Sequence, residues 1–182
     1  FKAIAPITGC MMSWVYESCS KNDPIPVFHV HGTKDSITYY YGDVENRDKW
    51  GAYVGVESSI KFWTDRNQCT VSSLDTLPDI DKNDGSYIIR ERHLNEINKN
   101  EVWFYKIING GHEWPMNRTK HFGNKDINTS EEIWKFFLGI FYNIYFFSYT
   151  FCNILTSLSY PIYIYMIMRI NRNNDFRLIK IQ

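Results

Sequence analysis

The chain has 182 residues, 44% of them hydrophobic and 22% charged, which is enough for one domain with a real core and unlike a disordered segment. Twenty basic residues balance twenty acidic ones, so the net charge is zero. Without a basic field the chain is not expected to bind nucleic acid. Four cysteines (Cys10, Cys19, Cys69, Cys152) form no C-x-x-C pair and are too few for a disulfide scaffold; Cys10 and Cys19 either bridge a short loop or stay free.

The first residues, Phe1-Lys2-Ala3-Ile4-Ala5-Pro6, have no basic n-region and no long apolar core, so they do not read as a signal peptide. They read as the middle of a strand, as if the sequence starts inside a domain. Residues 3–7 form a short apolar run closed by Thr8-Gly9, a buried-strand signal. Residues 25–31, β-branched and aromatic, predict a strand buried on both faces, as in a parallel sheet. Val56, Ile60 and Trp63 recur at helical spacing and predict a short amphipathic helix ending near Asn67. Residues 70–84, rich in Asp and Ser, read as loop. Residues 86–94 mix Tyr87, Ile88 and Ile89 with Arg90, Glu91 and Arg92, as an exposed edge strand would. Residues 101–108 predict another strong strand, ended by Asn109-Gly110-Gly111. After a polar loop, Asn128 with Glu131, or Thr129 with Glu132, has capping-box spacing and opens a helix through Phe137. Trp63, Trp134, Phe136 and Phe137 fit core packing at helical spacing. Strands alternating with helical or loop crossovers argue for an α/β fold with a mostly parallel sheet.

The composition then changes. Residues 138–168 contain no charge and are dominated by Phe, Tyr and Ile, with Arg169, Arg172, Arg177 and Lys180 behind them. A charge-free stretch well beyond ~20 residues is a candidate membrane span, with the basic flank on the cytoplasmic side. Asn143, Asn153 and Pro161 dilute that signal. The tail, residues 138–182, therefore reads as a membrane segment, a packed extra helix, or translated non-native sequence.

Chemistry gathers at two places, each at the carboxyl end of a predicted strand, where open α/β sheets collect their catalytic groups. One is His31-Gly32-Thr33-Lys34-Asp35; the other is Gly110-Gly111-His112-Glu113-Trp114-Pro115. A serine that attacks an ester needs a base to take its proton and a buried carboxylate to hold that base in the right tautomer. In α/β-hydrolases the chain order is Ser, then Asp or Glu, then His, and Asp35 before His112 obeys it. Each lies in a glycine-bearing loop, where backbone turns sharply. Taken alone, Asp35 is equally an ordinary turn residue. His29 and His31 share one side of a strand, and a His-x-His pair can begin a metal site with Asp35 or His112 as third ligand. No second ligand pair supports that, and both rings also serve simply as packing. His93 and His121 lie in polar surroundings, as surface residues do. Nothing in the sequence requires a cofactor.

The stretch Pro26-Val27-Phe28-His29-Val30-His31-Gly32-Thr33-Lys34-Asp35 resembles the acid-bearing motif of the esterase/polyhydroxybutyrate depolymerase family, which includes feruloyl and acetylxylan esterases. Phe62-Trp63-Thr64-Asp65-Arg66-Asn67-Gln68-Cys69 is similar to that family's tryptophan-and-asparagine stretch. Asn109-Gly110-Gly111-His112-Glu113-Trp114-Pro115 resembles its histidine motif, residues 126–137 its terminal helix, and residues 1–9 the strand behind its nucleophile helix. The resemblance covers residues 1–137 and implies the C-terminal part of an α/β-hydrolase, with the N-terminal strands and nucleophile elbow missing. It implies Asp35 as triad acid, His112 as general base and Trp114 as a wall of the substrate cleft. The substrates it implies are polyesters or acylated plant polysaccharides, and the location extracellular or periplasmic. Members often bridge the cysteine aligned with Cys69 to one just before the histidine strand; residues 94–100 offer none, so Cys69 is expected to be unpaired.

No Gly-x-Ser-x-Gly occurs anywhere, and the Gly-rich oxyanion loop is absent too. Three expectations follow: a fragment of a serine carboxylic-ester hydrolase, inactive alone; a non-catalytic truncated or membrane-tethered remnant; or a metal-dependent hydrolase built on His29 and His31.

Overall fold

In the computed structural model the described residues are 2–19, 23–49, 51–117, 123–149, 167–170 and 176–179. The chain divides into two compact units, Phe1–Ser148 and Tyr149–Gln182. The elements of the first are β1 (Met11–Met12), α1 (Ser13–Ser18), β2 (Val27–Gly32), β3 (Gly42–Asp43), β4 (Tyr53–Val54), α2 (Val56–Arg66), β5 (Val71–Thr76), β6 (Tyr87–Leu94), β7 (Glu101–Ile108) and α3 (Thr129–Tyr149). In the second unit β8 (Ile167–Ile170) pairs antiparallel with β9 (Phe176–Ile179).

The fold of the first unit mixes α and β. Its main sheet has the order β2-β7-β6-β5, and a small antiparallel sheet has the order β1-β4-β3. Within the main sheet β2 and β7 run parallel, while β7–β6 and β6–β5 are antiparallel. Residues 4 and 7 extend the parallel part by single bridges to Val27 and Val30. The sheet is thus mixed where a mostly parallel one was expected. The reason is local: only a six-residue turn, 95–100, separates β6 from β7, and a connection that short permits only an antiparallel return.

Side chains along β2 alternate, as strand geometry requires. Phe28 and Val30 join Tyr105, Ile107 and Ile88 on one face, which α3 covers with Ile133, Phe136, Phe137 and Ile140. Aromatic rings dominate there: Phe28 lies 4.9 Å from Tyr105 and 5.8 Å from Phe136 between ring centres. Val27, Val102 and Phe104 form the other face with Tyr40 and with Val56, Ile60 and Trp63 of α2. Each fully buried aromatic of this kind stabilises the fold by roughly 1.5–3 kcal/mol. Trp134 departs from expectation and is largely exposed. At 100° per residue it points away from the Ile133–Phe136–Phe137–Ile140 face of its own helix.

Two further expectations are corrected. Residues 71–76 form a strand, and β6 is consequently internal rather than an edge. All six residues of β5 are exposed, so no buried face imprints an alternating pattern on the sequence; the strand is held by its ladder to β6 and by a two-pronged Arg90–Asp75 ion pair. The final helix also runs past Phe137 to Tyr149, since no proline interrupts it. Cys10, Cys19 and Cys69 are free thiols. Of the tail, residues 150–166, most of the candidate span, lie outside the described residues. Among the described residues, no helix is long and apolar enough to cross a membrane.

Candidate functional site

The ends of β2 and β7 are adjacent because the strands are parallel and in register, with His31 opposite Lys106 and Gly32 opposite Ile107. Their following loops are tied together by backbone. Thr33 N donates to Ile107 O at 2.9 Å and Lys34 N to Gly110 O at 2.8 Å. The Thr33 hydroxyl accepts from Asn109 N at 2.8 Å, and Asn109 adopts a left-handed φ of 62° to make the turn. Gly32 is required here by close approach: a Cβ on it would lie 2.3 Å from Gly110 O and 2.5 Å from Gly111 O.

This arrangement brings Asp35 and His112 together. His112 Nδ1 lies 3.0 Å from Asp35 Oδ2 and 3.2 Å from Oδ1. Asp35 is buried, with its side chain fully covered, whereas the His112 side chain is 40% exposed. A carboxylate only accepts, so the proton sits on Nδ1 and the neutral ring presents its lone pair at Nε2. Among the described residues no hydroxyl or thiol hydrogen-bonds that Nε2. Asp35 is also a turn residue: its Oδ1 accepts from Ile37 N and Thr38 N, both at 2.8 Å. The two readings of Asp35, turn former and imidazole partner, are compatible: Oδ1 takes the two backbone N–H groups, and the imidazole lies nearest Oδ2. Trp114 is 43% exposed, two residues beyond His112.

Behind the pair lies a second imidazole that sequence reasoning linked only to metal or to packing. His31 Nε2 is 2.8 Å from Thr38 O and 3.4 Å from Asp35 Oδ2. Since a carbonyl cannot donate, His31 carries its proton on Nε2 and accepts at Nδ1, where His29 Nε2 approaches at 3.4 Å. Burial holds the His31 pKa below its ordinary value against the raising influence of Thr38 O and Asp35. Burial, reinforced by His31, takes His29 down from 6.5 to about 3. Both rings are therefore neutral at pH 7. Their nitrogens face each other and Thr38, except His29 Nδ1, which is buried without a partner. Among the described residues, no group of three or more His, Cys, Asp or Glu side chains converges as a metal site would.

Thr38, which the sequence does not mark, and Thr8, marked only as the turn closing residues 3–7, complete the polar junction. The Thr38 hydroxyl lies 2.6 Å from Thr8 O, 3.0 Å from Asp35 Oδ2 and 3.3 Å from His112 Nδ1. The one available signal was a hydroxyl three residues after the acid, inside an otherwise aromatic and aliphatic run. Of the other histidines, His93 is half-buried beside Glu91, and His121 lies outside the described residues. Compared with known proteins, the chain matches no family model and no curated protein.

Proposed function

We propose that this chain carries the acid and the base of a serine carboxylic-ester hydrolase of α/β-hydrolase type, acting on polyesters or on acyl esters of plant polysaccharide. The observation that carries the proposal is the 3.0 Å contact between a buried carboxylate and a half-exposed imidazole at the ends of adjacent parallel strands. In this reading a serine hydroxyl from outside these 182 residues attacks the ester carbonyl while His112 Nε2 takes its proton. Collapse of the tetrahedral adduct expels the alcohol, to which His112 returns the proton; water then repeats the sequence and frees the acid. Asp35 keeps its hydrogen bond to Nδ1 and stabilises the imidazolium. The substrate classes, the role of Trp114 and a location outside the cell rest on the family resemblance alone.

The test is to read the coding sequence upstream of Phe1 and express the longer product. An in-frame Gly-x-Ser-x-Gly and hydrolysis of a p-nitrophenyl ester are expected. His112→Ala should lower kcat by roughly 10⁶ and Asp35→Ala by roughly 10⁴. A stop codon upstream, or full activity in either variant, overturns the proposal.

One observation favours a second reading, a non-catalytic remnant. Among the described residues, no nucleophile meets His112 Nε2. A fluorophosphonate probe separates the readings: labelling of the longer product supports the enzyme, and its failure to label supports the remnant.

A further inference from the structure

Thr38 joins four groups of the site, the nearby Asp35 and His31 and the sequence-distant Thr8 and His112. Its N–H donates to Asp35 Oδ1 and its carbonyl accepts from His31 Nε2, each at 2.8 Å. Its hydroxyl meets Thr8 O, Asp35 Oδ2 and His112 Nδ1. A hydroxyl has one proton and two lone pairs. Two of its neighbours only accept, and the third, Nδ1–H, donates. The proton is therefore shared between the Thr8 carbonyl and the carboxylate, and a lone pair faces the imidazole N–H. Threonine is stiff about χ1, so the backbone bonds on either side of Thr38 also fix where its hydroxyl points.

We propose that Thr38 is a positioning residue of the acid–base pair: its hydroxyl holds Asp35 Oδ2 against His112 Nδ1 and keeps the imidazole in the tautomer that leaves Nε2 free. The inference rests on the reading of Asp35 and His112 as acid and base. Without the hydroxyl, Oδ1 keeps both of its backbone donors, but Oδ2 retains only His112 as a close partner, because His31 Nε2 is engaged by Thr38 O. The carboxylate is then free to pivot about Oδ1, and the Nδ1–H bond loosens.

The experiment is NMR on the full chain with ¹⁵N-labelled histidine. The far-downfield proton of the His112 Nδ1–H bond reports the contact, and the two ring nitrogen shifts report the tautomer. Wild type is expected to show the proton and Asp35→Asn to lose it. Thr38→Val, close to isosteric, should lose or broaden the proton and move the nitrogen shifts toward a tautomer mixture. Thr38→Ser should restore both. A Thr38→Val spectrum identical to wild type overturns the role of Thr38. A wild-type chain lacking any Asp35-dependent proton overturns the acid–base reading itself. Should circular dichroism show Thr38→Val unfolded, Thr38→Cys, with a weak thiol donor of similar size, is compared with Thr38→Ser. The serine variant alone is then expected to keep the proton, and equal behaviour of the two overturns the proposal.

Discussion

His29 is buried and neutral near pH 7, and it meets His31, which in turn lies 3.4 Å from the acid that orients His112. Its pKa in the folded chain, about 3, lies below its unfolded value of 6.5. Between those values the unfolded chain binds the extra proton, so stability rises with pH across that window and falls as pH drops from 6.5 toward 3. The slope from this one group reaches about 1.4 kcal/mol per pH unit. Urea midpoints measured from pH 7 to pH 4 should therefore decline in wild type and decline less steeply in His29→Leu. Parallel slopes would show that His29 is not buried neutral. Asp35 belongs to the same scale: its place after Gly-Thr marks it in the sequence, and its second function, accepting two backbone N–H bonds, explains why the carboxylate faces His112 in a fixed orientation.

At the level of elements, the site depends on two loops meeting without intervening side chains. Gly32 was expected to ease a turn, but its φ is not in the left-handed region and its role is to let the β2 loop touch the backbone of Gly110 and Gly111. Backbone cannot swing aside as a side chain does. Gly32→Ala should lower stability by roughly 1–3 kcal/mol, as overpacking does, and abolish the Asp35-dependent imidazole proton. Gly111→Ala, whose Cβ would meet nothing within 4 Å, serves as the control and should stay within ~0.5 kcal/mol of wild type. Equal denaturation midpoints for the two variants would refute close approach as the reason for Gly32. Helix α2 shows a related dependence. It ends at Asn67, whose fully buried side-chain amide donates to Ile25 O ahead of β2 and to Trp63 O, while Asn95 from the β6–β7 turn donates to Asn67 O. The stretch around Trp63 and Asn67 thus ties together α2, the approach to β2 and the β6–β7 turn.

Across the first unit the weak point is the extended segment 3–7, which joins β2 through two isolated parallel bridges. Ile4, Pro6 and Thr8 direct their backbone groups to β2, so in strand geometry the N–H and C=O of Ala5 face the other way. Among the described residues, nothing pairs with them. An open parallel edge invites pairing with another chain, and a net charge of zero supplies no repulsion against it. Light scattering on the 182-residue chain should rise with concentration, whereas a longer product that adds a strand at this edge should stay monomeric. A chain that remains monomeric at every concentration would mean the edge is covered some other way.

Which segments form α2, β2 and β7, and where α3 begins, were legible along the chain because each carries its own signal: helical spacing at Val56, Ile60 and Trp63, unbroken β-branched and aromatic runs, and a cap-like Asn128 whose side chain does meet Glu131. So were Asp35 and His112, through their places after strands and their chain order. The strand character of β5, the internal position of β6 and the mixed direction of the sheet were not, because they depend on hydrogen-bonded neighbours and leave no periodic trace in exposed residues. The junction at Thr38 was hidden for the same reason. Its partners Thr8 and His112 lie 30 and 74 residues away, and only parallel pairing of the strands that carry them brings those groups within reach of one hydroxyl.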